Sequence, residues 1–219
     1  MLKKITLAVA ALAVSAAFLG AGSASAATLY KTTAKTTLVP VGTTFTATQP
    51  FYDITKGINP TPEQSWTQTR APGPTNTCSN ASINFKVTQN SAGTVKAVPT
   101  GATFPLCAPR TTKWSGSAGQ ELSVTGSSTA NGTESAWLGT KLNFAWSLPE
   151  VGEEWHVTFT GATGSPPAKG IFVQQPTVGK APISINFANA FVPGSVFAAQ
   201  GTISAKFIFT GEAAAWSLG

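Results

Sequence analysis

One histidine, two cysteines and eight carboxylates are the residues of this 219-residue chain best suited to moving a proton or holding a metal. The histidine stands in Glu153-Glu154-Trp155-His156, where a base beside a carboxylate could be imagined. In an extended strand, however, Glu153 and Glu154 point to opposite faces, which makes them poor acid–base partners. No serine or cysteine lies in a G-x-S-x-G elbow or a comparable setting, so His156 has no evident nucleophile to activate. A solvated strand histidine accounts for it equally well. The other acids, Asp53, Glu63, Glu121, Glu134, Glu150 and Glu212, stand singly, whereas glycoside hydrolysis needs two carboxylates facing each other across a cleft. Phosphate loops, calcium loops and zinc-type spacings are missing. The run Leu148-Pro149-Glu150-Val151-Gly152 has valine where a sortase signal needs threonine, and no apolar tail follows it. No catalytic residue, metal ligand or cofactor is therefore assigned.

The cysteines are a different matter. Met1 is followed by Lys3-Lys4, an apolar run from Ile5 to Leu19, and the small-residue exit Ala24-Ser25-Ala26-Ala27. That is the pattern of a secretory leader, residues 1–26, cut between Ala26 and Ala27. The apolar run is too short to span a bilayer, which takes about 20 residues. Residue 27 is not a cysteine, so lipid attachment there is unsupported. Outside the cytoplasm a cysteine pair oxidises and persists, and Cys78 and Cys107 allow one intramolecular pairing only. A metal or redox pair would want C-x-x-C spacing or several histidines. The expectation is a structural disulfide that encloses a strand–Gly turn–strand unit running from Ser82 to Leu106.

Residues 27–219 are read as a single domain. Thr, Ser, Gly, Ala and Pro dominate, and charged residues are 10% of the chain, which points to an extracellular all-β fold with many turns. With Lys3 and Lys4 removed, twelve basic residues against eight acids leave +4, too thinly spread for nucleic acid. Six tryptophans are many for this size. Trp146 and Trp155 are in phase with apolar neighbours and read as core. Trp66, Trp114 and Trp137 lie in Gly-, Pro- or Ser-rich surroundings. Exposed, they would form platforms for sugar rings; folded back onto the core, they would be ordinary buried aromatics.

The elements that must position these residues are short and alternating. Thr28–Leu38 reads as the first strand. Val39-Pro40-Val41-Gly42-Thr43-Thr44-Phe45 recurs as Val98-Pro99-Thr100-Gly101-Ala102-Thr103-Phe104 and, one residue shorter, as Val192-Pro193-Gly194-Ser195-Val196-Phe197. Proline presets a turn, glycine takes a positive φ, and phenylalanine opens the next strand. Ile58–Pro74, with four prolines and Trp66, reads as a surface excursion. Strands are expected over Glu121–Thr125, Lys141–Leu148, Trp155–Thr160, Ile183–Phe187 and Ile203–Phe209, with turns at Gly126–Thr133 and a loop at Gly161–Gly170. About ten such strands, each with one polar face, predict an antiparallel β-sandwich with one disulfide, and a β-barrel as the alternative.

The Cys78–Cys107 unit, the Thr-rich start, and the late Asn189-Ala190-Phe191-Val192-Pro193-Gly194-Ser195-Val196-Phe197 together resemble a group of uncharacterised secreted β-rich proteins of actinobacteria. The resemblance implies a secreted β fold and carries no catalytic residues. The expected function is non-catalytic surface binding or a structural role at the cell envelope. The expected partner is envelope polysaccharide or another envelope protein, met by the Ile58–Pro74 loop and its Trp66. A secreted hydrolase using Glu153, His156 or Asp53 and an oligomeric envelope pore are the alternatives.

Overall fold

The structure, a computed structural model, describes residues 27–53, 55, 64–70, 75–114, 121–131, 134–148, 153–160, 170–176, 182–192 and 201–219. The expected leader, residues 193–197 of the third expected turn and much of the Ile58–Pro74 and Gly161–Gly170 segments lie outside the described residues. Within them the chain is an antiparallel β-sandwich with one disulfide, Cys78–Cys107.

Its strands in chain order are β1 (Leu29–Tyr30), β2 (Thr44–Thr48), β3 (Ser65–Arg70), β4 (Asn76–Ser79), β5 (Ser82–Ser91), β6 (Thr94–Thr103), β7 (Cys107–Ala108) and β8 (Lys113–Trp114). They continue as β9 (Leu122–Asn131), β10 (Glu134–Leu148), β11 (Glu153–Thr160), β12 (Gly170–Pro176), β13 (Ser184–Val192), β14 (Gly201–Thr210) and β15 (Ser217–Leu218). The main sheet runs β13-β12-β10-β9-β6-β5-β2-β14-β3-β4-β7, with β8 and β11 attached to β10. Strand β13 also pairs with β14, so the two faces are hydrogen-bonded to each other along one side. A separate two-stranded sheet joins β1 to β15.

Alternation explains the layers. In β5, Ile83, Phe85 and Val87 are buried while Asn84, Lys86 and Thr88 are exposed. In β14, Ile203, Ala205, Phe207 and Phe209 point inward and Thr202, Ser204, Lys206 and Ile208 outward. The interior holds two aromatic groups. Phe45 packs on Phe85 at 5.2 Å, Phe209 at 4.5 Å and Trp216 at 5.3 Å. Trp66 packs on Phe104 and Phe187, both at 5.3 Å, and on Phe207 at 6.0 Å. Pairs of this kind add about 0.5–1.5 kcal/mol beyond the area they bury. An apolar cavity of about 20 Å³ lies among Phe45, Val95, Leu122, Ile183, Phe209 and Leu218.

Several sequence expectations are corrected. Thr28–Leu38 is a two-residue strand followed by a tight turn, with Lys35 at φ 54° and Leu38 bridging back to Tyr30. The first Val-Pro turn forms as expected, with Gly42 at φ 93°, the Thr43 N–H donating to the Pro40 carbonyl at 3.2 Å, and Phe45 buried in the strand that follows. Its second copy is no turn: Val98–Thr103 lies inside β6. Pro99 stands opposite Phe85 beside a bulge, where a residue without an N–H is tolerated. Gly126–Asn131, expected as a turn, continues β9, its backbone paired to β10 up to Asn131↔Glu134. Strand β12, absent from the expectation, fills the place between β10 and β13.

Candidate functional site

The disulfide corner is where the chain gathers its unusual features. Strands β3, β4 and β7 form a small extension of the main sheet, joined to it by the pairing of Arg70, Thr69, Gln68 and Thr67 with Gly201–Ser204 of β14. Trp66 lies opposite Cys78, and Cys78 lies opposite Cys107. The bridge therefore fastens neighbouring strands directly above the inner aromatic group. Asn76 reinforces it: its Nδ2 donates to Thr112 Oγ1 at 3.0 Å, and its Oδ1 accepts the Arg110 N–H at 3.0 Å. Thr112 Oγ1 lies 3.4 Å from Cys78 Sγ and can donate to it.

Trp66 itself is 0% exposed. As an aromatic platform it is therefore ruled out, because its ring faces are taken up by Phe104, Phe187 and Phe207. It sits in a strand rather than in a surface excursion. Trp114 is in β8, opposite Trp146, half-buried and packed on the core. Trp137 is in mid-β10, between Ser128 of β9 and Val173 of β12. All three are strand residues.

The exposed apolar groups at this corner are others. Tyr52 donates its N–H to Asn80 Oδ1 at 2.8 Å, and Asn80 Nδ2 returns a bond to the Tyr52 carbonyl at 3.1 Å. Asn80 takes a positive φ of 58°, a conformation asparagine tolerates better than most residues. This amide clip ties Phe51–Tyr52 to one side of the Ser79–Ala81 corner. Leu106 directly precedes Cys107 of β7, which stands opposite Cys78 of β4. Phe51 is 76% exposed and Leu106, at φ 51°, is 51% exposed. Gln64, just before β3, donates its Nε2–H to the Phe51 carbonyl at 3.3 Å. Gln49 Oε1 accepts the Ala81 N–H at 2.8 Å, while Gln49 Nε2 is buried with no hydrogen-bond partner among the described residues. Such an unmet donor costs about 1–3 kcal/mol and is the kind of group that a ligand acceptor or a water satisfies.

Among the described residues no cluster of carboxylates forms here. Asp53 Oδ1 accepts from the Thr55 hydroxyl at 2.6 Å and from the Thr55 N–H at 3.0 Å. These bonds, the hydroxyl's first, hold its carboxyl below the usual range. His156 and Glu153 belong to β11 and pair with Ala145 and Leu148 of β10. Along the sheet, β5, β6, β9 and β10 separate β11 from β2, which leads into Asp53. Among the described residues no three His, Cys, Asp or Glu side chains are placed to hold a metal, and no helix is long and apolar enough to cross a membrane.

The outward face of β2, β5 and β6 is the second candidate. Thr48, Ser82 and Thr103 stand in one row and Thr46, Asn84 and Gly101 in the next. Ser82 and Thr103 share a hydroxyl bond at 2.8 Å, and Thr46 Oγ1 donates to Asn84 Oδ1 at 2.8 Å. These groups satisfy one another, which leaves the face flat and polar. No family model, curated protein or solved structure matches this chain.

Proposed function

We propose that this protein is a non-catalytic component of the extracytoplasmic space that works by surface recognition at the cell envelope. Its contact surface is the disulfide-braced rim formed by Phe51, Tyr52 and Leu106. One observation carries the reading: two exposed apolar residues each adjoin a braced point of the backbone, Phe51 the Tyr52–Asn80 amide clip and Leu106 the Cys78–Cys107 disulfide. A backbone held in this way loses little further freedom on binding. An aromatic ring presented to solvent suits the apolar C–H faces of a polysaccharide. The secretory leader and the bridge support a location outside the cytoplasm, where such a bond lasts.

The experiment is co-sedimentation of the mature protein with insoluble cell-wall polysaccharide, comparing the parent with Phe51→Ser combined with Leu106→Ser. Retention is expected to fall about tenfold, the equivalent of about 1.4 kcal/mol. The melting temperature should barely move, since exposed substitutions cost within about 0.5 kcal/mol. Unchanged retention would remove the rim from consideration and leave a structural role.

A further inference from the structure

The two sulfurs of the Cys78–Cys107 bridge meet different surroundings. Cys78 is 0% exposed, whereas Cys107 is half-buried. A reagent from solvent therefore reaches the bridge from the Cys107 side. The hydrogen bonds differ too. The Arg110 N–H donates to Asn76 Oδ1 at 3.0 Å, which orients the amide so that its Nδ2 donates to Thr112 Oγ1, also at 3.0 Å. Thr112 Oγ1 is thus an acceptor toward Asn76, and its own hydrogen is left for Cys78 Sγ at 3.4 Å. Thr112 is buried, which keeps bulk water from that hydrogen. Cys107 Sγ lies instead 3.1 Å from the Phe104 carbonyl oxygen and 3.9 Å from that of Pro105. One sulfur faces a donor and the other faces acceptors.

Thiol–disulfide exchange responds to both differences. The incoming thiolate attacks the sulfur it can reach, and the other sulfur leaves with the charge. Burial alone penalises a charge arriving on Cys78, and a hydroxyl that donates to it works in the opposite direction. Carbonyl oxygens beside Cys107 oppose a charge there. Access and hydrogen bonding therefore select the same polarity.

We propose that Cys107 is a modification site for low-molecular-weight thiols, at which the bridge opens with a fixed polarity. The sulfur of the small thiolate bonds to Cys107 Sγ, the Cys78–Cys107 bond breaks, and its electron pair goes to Cys78 Sγ. The small thiol is oxidised to one half of a mixed disulfide, and Cys78 is reduced to a thiolate that accepts from the Thr112 hydroxyl. The adduct follows Leu106 directly in the chain, and β7, a two-residue strand, loses its covalent tie to β4. This inference does not depend on the rim's role in binding.

The test exposes residues 27–219, oxidised, to a short pulse of excess mercaptoethanol, quenched with N-ethylmaleimide. Tryptic cuts after Lys86 and Lys96 place the two cysteines on different peptides, so mass spectrometry reads which sulfur carries which group. In the folded protein the thiol adduct on Cys107 with maleimide on Cys78 should exceed the reverse arrangement at least about tenfold, and unfolding in urea should bring the two close to equal. Thr112→Val should open about tenfold more slowly than the parent, and Thr112→Ser, which restores the hydroxyl, should recover the parent rate. Equal arrangements, the reverse arrangement or no adduct in the folded protein would overturn the proposal. A folded Thr112→Val protein that opens as fast as the parent would overturn the part given to the hydroxyl.

Discussion

Asn90 does with one amide what a neighbouring strand would do with its backbone. Its Oδ1 accepts from Leu29 N–H, and its Nδ2 donates to the carbonyls of Leu29 and Val39 at 2.7 and 2.9 Å. Because the site is buried, an alanine there takes the partner from the Leu29 N–H and the Val39 carbonyl, each costing about 1–3 kcal/mol, while the Leu29 carbonyl keeps the Val39 N–H at 3.0 Å. Asn90→Ala should therefore destabilise the protein by about 2 kcal/mol or more, measured by urea unfolding of residues 27–219 in the oxidised form. A loss below about 1 kcal/mol would show that water replaces the amide. Strict alternation through Ile83, Phe85 and Val87 would place residue 90 outside. The register shift between Val87 and Gln89 turns it inward, and nothing local in the sequence signals that shift. Trp66 was misread for a related reason. Pro- and Gly-rich neighbours mark a loop, but pairing with β4 and β14 overrides them.

At the scale of elements, the Cys78–Cys107 pair was fully legible, since two cysteines allow one intramolecular pairing only. The strand–turn–strand unit inside the loop was legible too, as β5 and β6; what could not be read was that the bridge joins two adjacent strands, β4 and β7. That hairpin turns at Ala92–Gly93, both at positive φ, the two-residue geometry that matches strand twist. A loop of 29 residue steps corresponds to about 3–4 kcal/mol of chain entropy. Replacing both cysteines by serine should lower stability by about that amount, measured by denaturant midpoint at fixed slope. A change under about 1 kcal/mol would mean that β3, β4 and Asn76 hold the corner without it. The polar run Gly126–Asn131 was misread because Gly, Ser and Thr say little about strand or turn; a long partner, β10, decides it.

For the whole molecule, the alternating pattern was enough for an all-β sandwich, since one-sided burial requires a partner layer. Strand order was beyond reach, because it depends on pairings far apart in the chain. Thr48 pairs with Ile208, and Leu29 pairs with Leu218. Such distant closures make folding slow, in the range of milliseconds to seconds. Refolding of the oxidised mature protein, followed by tryptophan emission in stopped flow, should fall in that window; a microsecond phase carrying the whole amplitude would contradict this topology. The described outward positions on β2, β5 and β14 are mainly Thr, Asn, Ser and Lys. A lipid-facing belt would need apolar residues at those positions, so these strands offer none.

Thr28 and Gly219 lie side by side, and β1 runs antiparallel to β15. A mechanical load applied at residues 27 and 219 therefore meets that ladder in the peeling direction, where hydrogen bonds open one after another instead of resisting together. The two-stranded sheet would act as a fuse under tension, yielding at low force while the ladders of the sandwich remain unloaded.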